Sequence, residues 1–237
     1  MDAHARPAGH PSRAFPRGVT DSSRTTAFVD LAGDKIVAVD LNTGDVRWRR
    51  PDAGRPLVAT DDGLLVVRRR GRRLQLALLD AADGDLVREL GPLPVPDWVA
   101  DEWEHSDGFA AHARPHGRTP QVAWRAARRY RGGAAPSPEA VADTGSEAGG
   151  VVQVDVGSGD VQALPDAEPG VFAATPAADD QDPATPSGEP SYSIAAKPSS
   201  DGTTAVTLTA SREGDEHPVW ETVLDTPVSR RPPPLRS

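Results

Sequence analysis

The stretch Lys35–Arg50, KIVAVDLNTGDVRWRR, decides the fold. An alternating apolar run ends in Asp40, a short polar link reaches Gly44-Asp45, and a second run carries Trp48. This is a hairpin: the Asp and Asn side chains accept hydrogen bonds from nearby amides, and Gly supplies the positive φ of the turn. Ile36, Ala38 and Asp40 share one face of the first strand, Val37 and Val39 the other. Both faces therefore carry apolar side chains, as in a strand sandwiched between two sheets.

The unit recurs. LQLALLDAADGDLVREL (Leu74–Leu90) and VVQVDVGSGDVQAL (Val151–Leu164) follow the same plan. The anchors are Asp40, Gly44 and Asp45; Asp80, Gly84 and Asp85; and Asp155, Gly159 and Asp160. The first two copies lie 40 residues apart and the next two 75 apart, one period plus an insertion. Part of that insertion is the small, polar, proline-bearing stretch 131–150, which reads as an excursion loop. A repeat of about 40 residues holding four strands is the size of a propeller blade. A fourth unit, from Tyr192 to Leu224, lacks the Asp-Gly-Asp turn but keeps the strand rhythm and carries Trp220.

The expected fold is therefore all-β, a small or partial β-propeller of about four four-stranded blades. Residues 1–24 are expected to be a flexible segment, and 25–225 the blades, at about 25–50, 57–90, 97–165 and 170–225. Residues 226–237 read as a disordered Pro/Arg tail. The first blade is expected to be the least complete. In the third, DWVADEWEHSDGFAAHARP is expected to form a hairpin about Ser106-Asp107-Gly108, with Glu102 opposite His112. Composition agrees, since 24 Pro and 22 Gly in 237 residues punctuate the chain too often for long helices.

Asp40-Leu41-Asn42-Thr43-Gly44 followed by Trp48 resembles the blade signature of the PQQ-like (quinoprotein-type) β-propellers, in which a Thr-Gly turn precedes a docking tryptophan. Trp220 in HPVWETVL occupies a similar slot, whereas Arg88 and Ala163 stand there in the second and third copies. The resemblance implies blade packing through Trp48 and Trp220. Quinoprotein dehydrogenases of this family hold their cofactor against a vicinal disulfide; this chain has no cysteine, so no ligand residue carries over and no cofactor is expected. Non-enzymatic relatives resemble the outer-membrane assembly lipoprotein of Gram-negative bacteria and extracytoplasmic kinase sensor domains. Four units are fewer than the family commonly has, which implies a reduced propeller, a fragment, or a piece completed by another chain, a second copy included.

Other candidate chemistry is weak. The absence of cysteine excludes thiol nucleophiles and Cys-ligated metals. Asp143-Thr144-Gly145-Ser146 matches the aspartic-protease tetrapeptide but has no second copy after an apolar strand. His105, His112 and His116 do not converge on a regular strand. Asp80–Asp85 lacks the distal Glu of a calcium loop, and Ala178–Pro183 reads as a solvated acidic loop. No P-loop, GxSxG or dinucleotide fingerprint occurs. The net charge of −9 opposes nucleic acid despite local arginine clusters.

The expected function is a non-catalytic scaffold that binds a protein partner. The third unit, with Trp98, Trp103, Trp124, Arg128 and Arg129, is the expected contact surface. The competing expectation is a small molecule (sugar, peptide or quinone-type cofactor) bound in the propeller funnel, with or without catalysis. No integral membrane segment is expected. The resemblance implies an extracytoplasmic setting, whereas the N-terminal residues carry no apolar signal region and point to the cytoplasm.

Overall fold

The computed structural model describes residues 18–32, 34–104, 108–115, 118–128, 147–169, 190–198 and 204–225. They form successive antiparallel meanders, each a blade of a propeller-type stack. Blade 1 holds β1 (Gly18–Thr20), β2 (Thr26–Leu31), β3 (Lys35–Asp40) and β4 (Val46–Arg50). Blade 2 holds β5 (Arg55–Thr60), β6 (Gly63–Arg70), β7 (Arg73–Leu79) and β8 (Leu86–Pro92). Blade 3 holds β9 (Phe109–Arg114), β10 (Gln121–Ala127), β11 (Glu147–Val154) and β12 (Val161–Ala163). Blade 4 has three strands among the described residues: β13 (Ser191–Pro198), β14 (Thr204–Ser211) and β15 (Trp220–Asp225).

The core consists of layers between blades, and strand alternation explains their order. In blade 1, Phe28, Ile36, Ala38 and Trp48 face Leu64, Val66, Ala77 and Leu79 of blade 2. The opposite side, with Val29, Leu31, Val37 and Val39, packs on Leu208 and Leu224 of blade 4. The far side of blade 2, including Leu65, Val67, Leu76 and Leu78, meets Val122, Trp124, Val152 and Val154 of blade 3. The stack thus runs 4–1–2–3, and among the described residues no core layer joins blade 3 to blade 4.

The end blades differ from the middle ones in residue chemistry. Blades 1 and 2 are apolar on both faces and are covered on both. On β10 the residues alternating with Val122 and Trp124 are Gln121, Ala123 and Arg125, with His112 and Gln153 on the same side. On blade 4 the side away from blade 1 carries Ser193, Thr209 and Glu221. One-sided apolar patterning suits a sheet that ends a stack, because burying these polar groups without partners would cost free energy.

Several expectations are corrected. Blade 1, expected to be the least complete, has four strands: β1 lies inside the segment 1–24 expected to be flexible, and the blade with fewest described strands is the fourth. Asp97–Glu102 is a 3₁₀ helix and not a strand. Pro94 and Pro96 remove ladder donors there, and the Pro96 carbonyl accepts the Val99 amide at 2.9 Å. His112 consequently pairs opposite Ala123 on β10, not opposite Glu102. Residues 147–150, expected as loop, begin β11 and pair with Trp124–Ala127. Blade 2 runs from Arg55 to Pro92, slightly beyond 57–90. The tetrapeptide Asp143–Ser146, His105, His116, Ala178–Pro183 and the tail 226–237 lie outside the described residues. Among the described residues no helix is long and apolar enough to cross a membrane.

Candidate functional site

The Asp-Gly-Asp turns are built alike. Asp40 accepts the Gly44 amide at its carbonyl (2.8 Å) and the Asn42 amide at its carboxylate (2.9 Å). Asp80 does the same with Gly84 (2.9 Å) and Ala82 (2.7 Å), and Asp155 with Gly159 and Gly157 (both 2.8 Å). Asp45, Asp85 and Asp160 close the turns by returning their carbonyls to the amides of Asp40, Asp80 and Asp155. Gly44, Gly84 and Gly159 have φ of 80°, 77° and 92°, where only glycine is unstrained. The Asp40 carboxyl is held below the ordinary carboxylate range by Arg47, 2.5 Å away, and by the Asn42 amide. The amides of Ser158 and Gly157 lower Asp155 in the same way.

These turns are where blades join. Trp48 donates its indole N–H to the Ala81 carbonyl at 3.0 Å and lies on Gly84, while Arg50 reaches the Asp83 carbonyl (3.2 Å) and the Asp85 carboxylate. Trp220 likewise donates to the Leu41 carbonyl at 3.2 Å and covers Gly44, and Thr222 donates to the Gly44 carbonyl at 2.5 Å. At the joint of blades 2 and 3, Arg88 takes the tryptophan slot and donates to the Gly157 carbonyl. Ala163, in the same slot of blade 3, is exposed and has no side-chain donor. The third blade thus lacks the docking side chain, and the fourth lacks the receiving turn.

The tryptophans singled out in the third unit are mostly core. Trp103 is fully buried and Trp124 is 5% exposed, so neither offers a contact surface. Trp103 ties three blades together: its indole donates to both carboxylate oxygens of Asp34 (2.9 Å each), and Arg55 stacks on its ring at 4.0 Å. Arg55 also donates to the carbonyls of Trp103 and Phe109. Trp98 is half-buried under the Arg128 guanidinium at 5.0 Å, and Arg129 lies outside the described residues. Next to Trp103, Glu102 is 4% exposed and its Oε2 has no hydrogen-bond partner.

A broad concavity lies elsewhere, between blades 4 and 1. It encloses about 1040 Å³. Its floor is the ledge of Tyr192 and Trp220, whose ring centroids are 5.9 Å apart and which both donate to the Leu41 carbonyl. One wall is the β1–β2 loop with Ser23, Arg24 and Thr25; the other is Arg212 and Glu213 after β14. Asp21 organises the first wall, accepting from Ser23 Oγ (2.9 Å), Thr25 N (2.7 Å), Thr25 Oγ1 (2.8 Å) and Thr26 N (3.0 Å). Burial would raise its pKa, but these hydrogen bonds outweigh burial and hold it below the ordinary value. Sequence reading missed this cleft because its lining comes from separate segments, near Thr20, Leu41, Tyr192 and Trp220. Only the Trp220 slot signalled that blade 4 docks on another turn.

No protein-family model matches the sequence, and no curated protein matches it. Among solved structures, the fold is similar to BamB from Moraxella catarrhalis at 14% identity, covering 87% of this chain and 63% of that one, with a TM-score of 0.35. It is also similar to the quinohemoprotein alcohol dehydrogenase from Comamonas testosteroni (11% identity, 84% of this chain and 34% of that one, TM-score 0.36). A third is the Dos1 propeller (10% identity, 88% and 46%, TM-score 0.36). The chain spans less than two thirds of the length of each.

Proposed function

We propose that the chain is a non-catalytic binding module that holds a protein partner in the cleft between blades 4 and 1. The observation that carries this reading is the chemistry of the cleft. Its Ser23 and Thr25 hydroxyls are committed to the Asp21 carboxylate, which is itself saturated by hydrogen bonds. Among the described lining residues the remaining carboxyl, Glu213, stands beside Arg212 on the wall opposite these hydroxyls. What the cleft offers instead is an aromatic ledge with polar walls, the composition of a contact surface.

The test is photocross-linking. A benzoylphenylalanine at Tyr192, which is 42% exposed in the cleft, is compared with one at Leu86, which is 47% exposed on blade 2. One protein cross-linked from native extract at 192 and not at 86 supports the reading. Equal labelling at both positions, or none from a folded bait, refutes it. The second reading, a small-molecule site, is favoured by the cleft volume alone, which is of the size that holds a small ligand. A ligand that raises Tm without any cross-linked protein supports that alternative.

A further inference from the structure

We infer that the partner group received by this cleft is an extended acidic segment, its carboxylates clamped between Arg24 on blade 1 and Arg212 on blade 4. The inference rests on the protein-binding reading above and adds the chemistry of the bound segment.

The first observation is charge. Five arginines elsewhere are engaged in ion pairs: Arg47, Arg50, Arg69, Arg70 and Arg118. Arg24 and Arg212 face the same cleft from different blades, and among the described residues neither guanidinium has an ion pair or a side-chain hydrogen bond. In a chain of net charge −9, two such cations beside one concavity are complementary to carboxylates. Glu213 on the same wall leaves the lining one positive charge in excess, so the fit is to one or two carboxylates among neutral residues and not to a polyanion.

The second observation is preorganisation. Arg24 has φ of 55°, a left-handed conformation unusual for arginine. The loop that imposes it is held by the Asp21 hydrogen bonds and by Arg24 N donating to the Asp21 carbonyl at 3.1 Å. The guanidinium is therefore presented from a fixed backbone, which reduces the ordering entropy lost on binding. The ledge is similarly set: Tyr192 Oη and Trp220 Nε1 both spend their protons on the Leu41 carbonyl, and the two ring centroids lie 5.9 Å apart.

The third observation is size. A volume of about 1040 Å³ is far more than a single phosphate or carboxylate fills. The Thr20 hydroxyl and the Asn42 side-chain amide supply partners for a peptide backbone along it, and the Ser191 oxygen, whose proton goes to the Ser211 carbonyl, remains an acceptor.

The experiment uses the full chain and a fluorescein-labelled octapeptide with two glutamates among valine, tyrosine and glycine, read by anisotropy. Its glutamine counterpart and inorganic phosphate are the comparison probes. Saturable binding is expected, at least tenfold weaker for the glutamine peptide and weakened by salt. Arg24→Asn with Arg212→Gln should cost at least tenfold in affinity while the unfolding curve overlays that of the parent. Equal binding of the two peptides, an unaffected double variant, or displacement of the peptide by dilute phosphate overturns the inference. Running the Tyr192 cross-link on the double variant separates the two readings. A cross-link that survives there, with no peptide preference, removes the acidic clamp and leaves protein binding standing. Peptide binding with no cross-linked protein removes the protein partner instead.

Discussion

Trp48 donates its indole N–H to the Ala81 carbonyl in the turn of the next blade, 33 residues away, at 3.0 Å. The same relationship links Trp220 to Leu41 at 3.2 Å. One local turn therefore does two jobs. Within its blade it reverses the chain, and between blades it offers a free carbonyl and a glycine floor to a neighbouring side chain.

Trp48→Ala should lose both the ring and its hydrogen bond. Truncating a buried tryptophan costs about 3–5 kcal/mol, and Trp48 is 9% exposed beside Phe28 at 5.8 Å. Trp48→Phe keeps most of the packing and should cost less, with about 1–3 kcal/mol from the unpaired Ala81 carbonyl. Urea unfolding monitored by circular dichroism ranks the two; if Phe is as damaging as Ala, the ring is not the main contributor.

Three glycines in turns should respond to alanine in a set order. At Gly84 a Cβ would stand 2.8 Å from the Trp48 ring, at Gly159 it would meet Leu90 at 3.6 Å, and at Gly71 nothing lies within 4 Å. All three have positive φ, so each substitution carries a backbone cost of about 1–2 kcal/mol. Only Gly84→Ala should add a steric cost on top and separate blades 1 and 2. Melting temperatures falling equally in all three variants would show that the turn, and not the docked ring, sets the requirement.

Glu102 gives a prediction of opposite sign. It is 4% exposed and its Oε2 is unpartnered. A buried polar atom left without a hydrogen-bond partner costs about 1–3 kcal/mol, so Glu102→Met, of similar volume, should raise Tm. A lower Tm would mean that the carboxylate has a partner, such as a buried water.

Asp21, Asp40 and Asp155 all have lowered pKa values in the folded chain. A carboxyl that is more acidic folded than unfolded stabilises the fold above its unfolded pKa, near 4. That contribution disappears as pH falls through the folded value. The parent should therefore lose stability progressively below about pH 4. The triple Asp→Asn variant should be weaker at pH 7 but show a shallower decline in acid. Parallel stability profiles for the two chains would contradict the assignment.

The repeat and its turns were legible from the sequence by itself because they are local. Asp40 and Gly44, or Asp155 and Gly159, satisfy each other within a few residues, so spacing and residue type suffice to locate the hairpin. The two-faced apolar strand at Ile36–Asp40 likewise declared that something covers both sides. Tertiary structure alone decided which blade covers which. Nothing near Trp220 specifies that its acceptor is Leu41, 179 residues earlier, or that Trp103 turns inward to Asp34. The cleft belongs to the same class, because Arg24, Tyr192 and Arg212 acquire a common surface only when blade 4 packs back on blade 1. A local hydrogen-bond pattern is written in neighbouring residues, whereas a surface shared by distant segments exists only once the layers between them are packed.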